Sequence, residues 1–289
     1  GTVTGVQTCA LPICFELNID RPLVMGVVNV TPDSFSDAGQ YACADRAIEH
    51  ARGLVREGAD ILDIGGESTR PGAEPVSARQ QWQRIAPVLE ALLECKVPLS
   101  VDTRDSEVMR NSLNLGVDMI NDVQAFAGDG ALAAVANSSA GLCLMHMRGE
   151  PRTMQLGPAY ANVVDEVHTY LQARVQKLRN AGVYGERIVV DPGIGFGKTL
   201  EDNLALLAGV ARFAALAPVL VGVSRKSMVG ELTGKAVEQR LAGSLGGALA
   251  AVARGASIVR THDVAATRDA LKVWGAVSNA GIEIGRAHV

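Results

Sequence analysis

From about residue 23 the chain repeats one pattern: a short β-branched apolar run, a polar glycine-rich loop, then an amphipathic stretch. The runs are Leu23–Val30, Ala59–Ile64, Pro98–Asp102, Asp118–Asn121, Gly141–His146, Arg187–Asp191, Pro218–Val223 and Ser257–Thr261. Their ends recur about every 33 residues, which suits a strand plus a crossover helix. Between them, 44–57 puts Ala47, Ile48, Ala51, Leu54 and Val55 on one helical face before a stop at Gly58. Val163, Val167, Tyr170, Leu171, Val175 and Leu178 do the same in 159–181, before Gly182. A third helix is predicted over 236–254, ending at Gly255, and Asp263 stands as the N-cap of the last one. Near-continuous apolar strands mark a parallel sheet buried on both faces, so the predicted fold is α/β, a single (β/α)8 TIM barrel. An open doubly wound sheet is the fallback, although no GxGxxG opens the first unit.

The barrel is expected over 15–280, with 1–14 and 281–289 as appendages outside the folded body, because neither end carries a helical or strand period. Leu11-Pro12-Ile13-Cys14 hints at a lipoprotein cleavage box, but no basic segment precedes it and Ile13 is not small. Composition changes little. With 289 residues, 48% apolar and 20% charged, the chain is an ordinary globular one, long enough for a barrel. The net charge of −4 is dispersed, which gives no support for nucleic-acid binding, and no run is long enough to span a membrane. Five cysteines without a CxxC pair read as free thiols in a reducing, cytoplasmic setting.

In such a barrel the site lies at the C-terminal mouth of the strands. The unusual polar residues do follow the strands: Asn29, Asp63, Asp102, Asn121-Asp122, His146, Asp191-Pro192-Gly193, Ser224–Ser227 and Arg260–Asp263. Any one alone reads as a turn residue or helix cap; together they converge on one end. They divide chemically. Asp102, Asn121 and Asp191 are short acceptors suited to the NH edge of a planar heterocycle. Arg70, Lys226, Arg260 and His262 suit a phosphate-type anion. The Gly193–Thr199 segment imitates a Walker A loop, but Pro192 stands where its first glycine is needed. His146 and His262 have no second ligand at metal spacing, so hydrogen-bonding roles are expected for both.

Several stretches together resemble the dihydropteroate synthase family of folate biosynthesis. They are Met25–Asp37, Asp63–Gly72, Ser100–Thr103, Asn121–Val123, Leu144–Met147, Asp191–Lys198, Ser224–Ser227 and Arg260–Val264, one per strand and in order. The resemblance implies condensation of 6-hydroxymethyl-7,8-dihydropterin pyrophosphate with 4-aminobenzoate, by a dissociative mechanism in which pyrophosphate leaves first. It implies catalytic roles for Asp102, Lys226, Asp33 and Arg70. Asp102, Asn121, Val123, Met145, Asp191 and Lys226 would hold the pterin. Asn29, Thr69, Arg70, Arg260 and His262 would hold pyrophosphate, with Asn29 also a Mg²⁺ ligand. Thr69, Pro71, Phe196, Lys226 and Ser227 would form the aminobenzoate pocket, and sulfonamides would compete there. The loops 31–41 and 66–76 would close over the site. A homodimer is implied, through late helices rich in Ala and Gly that include Gly243, Gly246 and Gly247. Two readings compete: a pterin-binding methyltransferase-type barrel, and a catalytically silent pterin-binding paralogue. The pyrophosphate and aminobenzoate stretches weigh against both.

Overall fold

The computed structural model describes residues 5–10, 13–30, 40–68, 75–149 and 160–286. A hairpin of β1 (Gly5–Ala10) and β2 (Ile13–Asn18) comes first. Eight parallel strands then close on themselves: β3 (Leu23–Asn29), β4 (Ile61–Gly65), β5 (Leu99–Asp102), β6 (Met119–Asp122), β7 (Gly141–Met145), β8 (Ile188–Asp191), β9 (Val219–Gly222) and β10 (Ala256–Thr261). Strand β10 pairs with both β3 and β9, and that closure decides for the barrel over the open sheet. Each of the eight predicted runs contains or overlaps one of these strands.

The helices are α1 (Gln40–Arg56), α2 (Ala78–Leu92), α3 (Ser106–Leu115), α4 (Ala131–Val135), α5 (Val163–Asn180), α6 (Leu200–Ala208), α7 (Val210–Ala214), α8 (Ser227–Thr233), α9 (Leu241–Val252) and α10 (Val264–Arg286). Local chemistry starts them. Ser77 and Gln80 form a reciprocal capping box on α2, and Thr199 and Asp202 form another on α6. Asp105 caps α3 by accepting from the Glu107 and Val108 N–H groups. Two predictions change in detail. The helix expected over 236–254 begins only at Leu241, after a 3₁₀ turn at Val237–Gln239. There the Arg240 guanidinium bends back to the carbonyls of Lys235 and Arg225, and the backbone turns with it. Asp263 does precede α10, its carbonyl accepting from Thr267 N–H, but its carboxylate is taken by Arg225 at 2.5 Å.

At the ends, the structure has elements where the sequence pattern shows none. Strand β1 pairs with β2 and lies against β7 and the 3₁₀ turn Gly185–Arg187, while Leu17 of β2 packs into the cluster inside the barrel. Residues 1–4, 11 and 12 lie outside the described residues. Helix α10 continues to Arg286, since no proline interrupts it and each added residue brings a hydrogen bond.

Two apolar bodies hold the fold. The larger joins outward strand residues such as Val24, Leu62, Val101, Ile120 and Val190 to the helices. The smaller fills the barrel with Met25, Ile61, Met119, Cys143, Val189, Leu220 and Ile258. Side chains alternate along a strand, so the residue two positions after each of these faces the same interior, one layer nearer the mouth.

Candidate active site

That next layer is polar. Two residues beyond Ile61, Met119, Val189 and Ile258 come Asp63, Asn121, Asp191 and Arg260, while Cys143 leads to Met145 and Leu220 to Gly222. On β5 the same parity gives Asp102 two residues after Ser100, and in-register pairing sets Gly65, Asp102 and Asn121 side by side. Period-two alternation on closed strands is therefore enough to gather residues up to 197 positions apart.

Arg260 organises the centre. Its Nε donates to Asp63 Oδ2 at 2.7 Å and its Nη2 to Asp102 Oδ2 at 3.0 Å. Asn121 Nδ2 donates to the same Asp63 oxygen at 3.1 Å. Burial and the neighbouring Asp63 carboxylate push Asp102 up to about 7, against the opposing pull of Arg260. Asp191 is also raised, by burial, although Lys226 and the Gly193 N–H at 2.7 Å favour its charged form. Lys226 donates to the Ile194 carbonyl and lies 4.6 Å from the centre of the Phe196 ring. Burial lowers it to about 8. Asn29, half-buried at the end of β3, faces the same glycine as Asp102: a Cβ on Gly65 would meet Asp102 Cβ at 3.6 Å and Asn29 Oδ1 at 3.9 Å. Val123 and Met145 are buried.

The loop after β8 is built by close approach. Gly193 has φ +72°, and a Cβ there would run into the His146 carbonyl and lie 3.3 Å from Lys198 Nζ. Lys198 is buried and donates to the carbonyls of His146 (3.2 Å) and Phe196 (2.9 Å) and to His146 Nδ1 (3.0 Å). Burial lowers Lys198 to about 7 and His146 to about 3, so this histidine stays neutral and acts as an acceptor. Gly193→Ala is expected to cost at least about 2 kcal/mol of stability, checked by urea unfolding, because neither the dihedral nor the carbonyl can give way.

The profile of the family described as "Pterin binding enzyme" matches residues 25–262. The chain is 52% identical over 271 residues to the dihydropteroate synthase of Neisseria meningitidis serogroup B, covering 91% of this chain and 95% of that one. This chain belongs to the dihydropteroate synthase family. Among solved structures, the Xanthomonas albilineans synthase with 4-aminobenzoic acid superposes with a TM-score of 0.88 at 48% identity, covering 95% of this chain and 99% of that one. The Burkholderia cenocepacia synthase complexed with 7,8-dihydropteroate gives 0.85 at 50% identity, covering 93% and 96%.

For a synthase of this family, the structure gathers Asn29, Asp102, Asn121, Val123, Met145, Asp191, Phe196, Lys226, Arg260 and His262 at the strand C-termini and the loops that follow them. Ser227 opens α8 beside Lys226 and is exposed. Asp33, Thr69, Arg70 and Pro71 lie outside the described residues, as does most of both loops expected to close. The acceptors and the cations, distinct in chemistry, meet in one place. Arg260 sits among the carboxylates, because its side chain reaches from β10 past β3 to Asp63 on β4 and Asp102 on β5, while His262 Nδ1 lies 3.0 Å from Ser224 Oγ.

Three features of the site have partners that the sequence does not reveal. Asp63 stands at the mouth in the sequence pattern, but its bonds to Asn121 and Arg260 come only with the closed sheet. The Lys198–His146 contact joins two loops and leaves no local signal. Asp122 accepts from the N–H groups of Gln124 (2.8 Å) and Phe126 (2.7 Å), and Arg174 donates to the carbonyls of Ala125 and Phe126. These bonds hold Ala125 and Phe126 at positive φ, a turn their own side chains disfavour, directly after Val123.

Proposed function

We propose that this chain condenses 6-hydroxymethyl-7,8-dihydropterin pyrophosphate with 4-aminobenzoate, giving 7,8-dihydropteroate and pyrophosphate. The observation that carries the reading is the meeting of Asp102, Asn121 and Asp191 with Arg260 and Lys226 at one barrel mouth, in a chain of this family. The acceptors take the NH edge of the pterin between Val123 and Met145. As the C–O bond breaks, Arg260 and His262, with Arg70, receive the departing pyrophosphate, and the Asp102 carboxylate stabilises the pterin methylene cation. The aminobenzoate nitrogen, packed against Phe196 and Lys226 beside Ser227, forms the C–N bond and releases one proton; the family resemblance adds Thr69 and Pro71 to this pocket. No side chain forms a covalent bond, and closure of the two loops would exclude water.

Mg²⁺ fits the donor chemistry as a substrate-borne ion. Asn29 offers one hard, neutral oxygen, and the described residues contain no cluster of three His, Cys, Asp or Glu able to hold a metal. Asn29 would hold it together with phosphate oxygens and water, and the ion would neutralise leaving-group charge. A homodimer through α6, α8 and α9 fits the exposed Leu204 and Leu232. Of the three late glycines only Gly246 faces open space; Gly243 packs on Val229 and Gly247 on Val223. Among the described residues no helix is long and apolar enough to cross a membrane.

The test is pyrophosphate release from the pterin substrate with and without 4-aminobenzoate and Mg²⁺. Product that forms only with 4-aminobenzoate supports the synthase. Product-free pterin binding supports the silent paralogue. Sulfonamides are expected to raise the KM for 4-aminobenzoate without changing kcat; inhibition that aminobenzoate cannot relieve would contradict the shared pocket.

A further inference from the structure

Asp63 lies on β4 with its side chain fully buried. A carboxylate at such a depth is tolerated only when paired and hydrogen-bonded, and an apolar residue there would serve the core better. Asp63 is half provided for. Its Oδ2 accepts from both Asn121 Nδ2 (3.1 Å) and Arg260 Nε (2.7 Å), whereas its Oδ1 has no partner among the described residues. Stability does not account for two donors on one oxygen and none on the other. The directions given to those two donors do.

An asparagine amide is ambiguous, since either end can face a ligand. With Nδ2 committed to Asp63, the Asn121 oxygen is the end left for the mouth, and the residue becomes an acceptor like Asp102 and Asp191. A guanidinium is likewise free to swing on its stem. With Nε fixed on Asp63, Arg260 keeps one plane, and its Nη2 edge on Asp102 (3.0 Å) is the part that can be exchanged for an anion. We infer that Asp63 is a positioning residue for the synthase reaction: one buried oxygen turns Asn121 into a pterin acceptor and pins Arg260 by its Nε. The inference rests on the function proposed above. It adds a specificity device to that site, one that reads the pterin pyrophosphate and leaves the aminobenzoate side untouched.

The experiment compares Asp63→Asn with the unaltered enzyme by steady-state kinetics in both substrates, by melting temperature, and by inhibition with inorganic pyrophosphate. Asparagine keeps the shape and removes the charge that orders both donors. The expected result is a fall of at least thirtyfold in kcat/KM for pterin pyrophosphate, weaker inhibition by pyrophosphate, and a KM for 4-aminobenzoate within about threefold of the original, reading the loss of one preorganised donor set. Constants within threefold for both substrates overturn the inference. So does a parallel loss in both with a lowered melting temperature, which is what a merely structural role produces. If Asp63→Asn alone does not fold, Arg260→Gln is compared with Asp63→Asn/Arg260→Gln, from which both buried charges have gone. With no guanidinium to pin, the second substitution is expected to raise the KM for pterin pyrophosphate and leave kcat within threefold; a further hundredfold loss of kcat overturns the inference. Failure of the unaltered enzyme to form dihydropteroate overturns the functional reading instead, and that result is scored before any variant is made.

Discussion

Asp102→Asn is expected to lower kcat by about 10³-fold, equivalent to about 4 kcal/mol of transition-state stabilisation, while leaving the protein folded. The amide replaces the carboxylate without change of volume, so Gly65 and Asn121 on the flanking strands need not move. Under the proposed mechanism, what disappears is the negative charge that faces the developing pterin cation. A companion result separates chemistry from stability. Asp102 sits at about 7 in the folded protein against an ordinary 3.8, chiefly because burial disfavours its charge and Asp63 repels it. A pKa raised on folding means that stability present below 3.8 is lost as pH rises through about 7. The variant has no such charge to bury, so at pH 8 its melting temperature is expected to equal or exceed that of the unaltered enzyme. The same titration gives kcat/KM an acid limb near 7 that vanishes in Asp102→Asn. A variant with kcat within threefold of the original would remove Asp102 from cation stabilisation.

Most of the barrel could be read from the chain because each strand is buried on both faces, and a two-sided apolar run such as Ile188–Asp191 needs no partner to be recognised. The misjudged parts are those fixed by contacts distant in sequence. The start of α9 depends on Arg240 reaching back to the Arg225 carbonyl, 15 positions earlier, and periodicity carries no trace of that. The carboxylate of Asp263 was assigned to a helix end, yet Arg225, 38 positions away, competes for it and wins. Hairpin β1–β2 lacks alternation, and its place against the barrel is a tertiary fact.

For the site, the sequence showed which residues face the mouth but not whom they face. Asp102, Asn121 and Asp191 were legible as strand-end acceptors. That Arg260 lies between Asp63 and Asp102 follows only from closure of the sheet, which turns side chains on three strands toward one axis. Asp63 is placed at the mouth by its position at a strand end, but its role is not legible for the same reason: an aspartate there reads as a turn residue until its neighbours are known. Lys198 follows a glycine-rich segment that only imitates a phosphate loop; its bonds to His146 and Phe196 make it a brace between the loops after β7 and β8.

Lys226 carries the second large effect, because it touches both halves of the site. It donates to the Ile194 carbonyl, lies over the Phe196 ring and offsets the charge of Asp191, so under the proposed function the pterin and aminobenzoate sides share one cation. Methionine matches its length and apolar stem. Lys226→Met should therefore keep the packing beside Gly195 and lose only the charge and its hydrogen bond. The expected result is a fall of about 10³-fold in kcat/KM with KM raised for both substrates, unlike Phe196→Ala, which should act on aminobenzoate alone. Burial and Arg260 hold Lys226 down at about 8, against the pull of Asp191. Together with the acid limb set by Asp102 near 7, this gives kcat/KM a narrow maximum between about 7 and 8, both limbs being properties of the coupled site. Lys198, lowered to about 7, is the other buried lysine that loses its proton in this range, and it braces the loops rather than facing Asp191 across the mouth. Replacing Lys226 distinguishes them: the basic limb should disappear in Lys226→Met and persist in Lys198→Met. The reverse pattern would move the titrating role from the mouth to the brace.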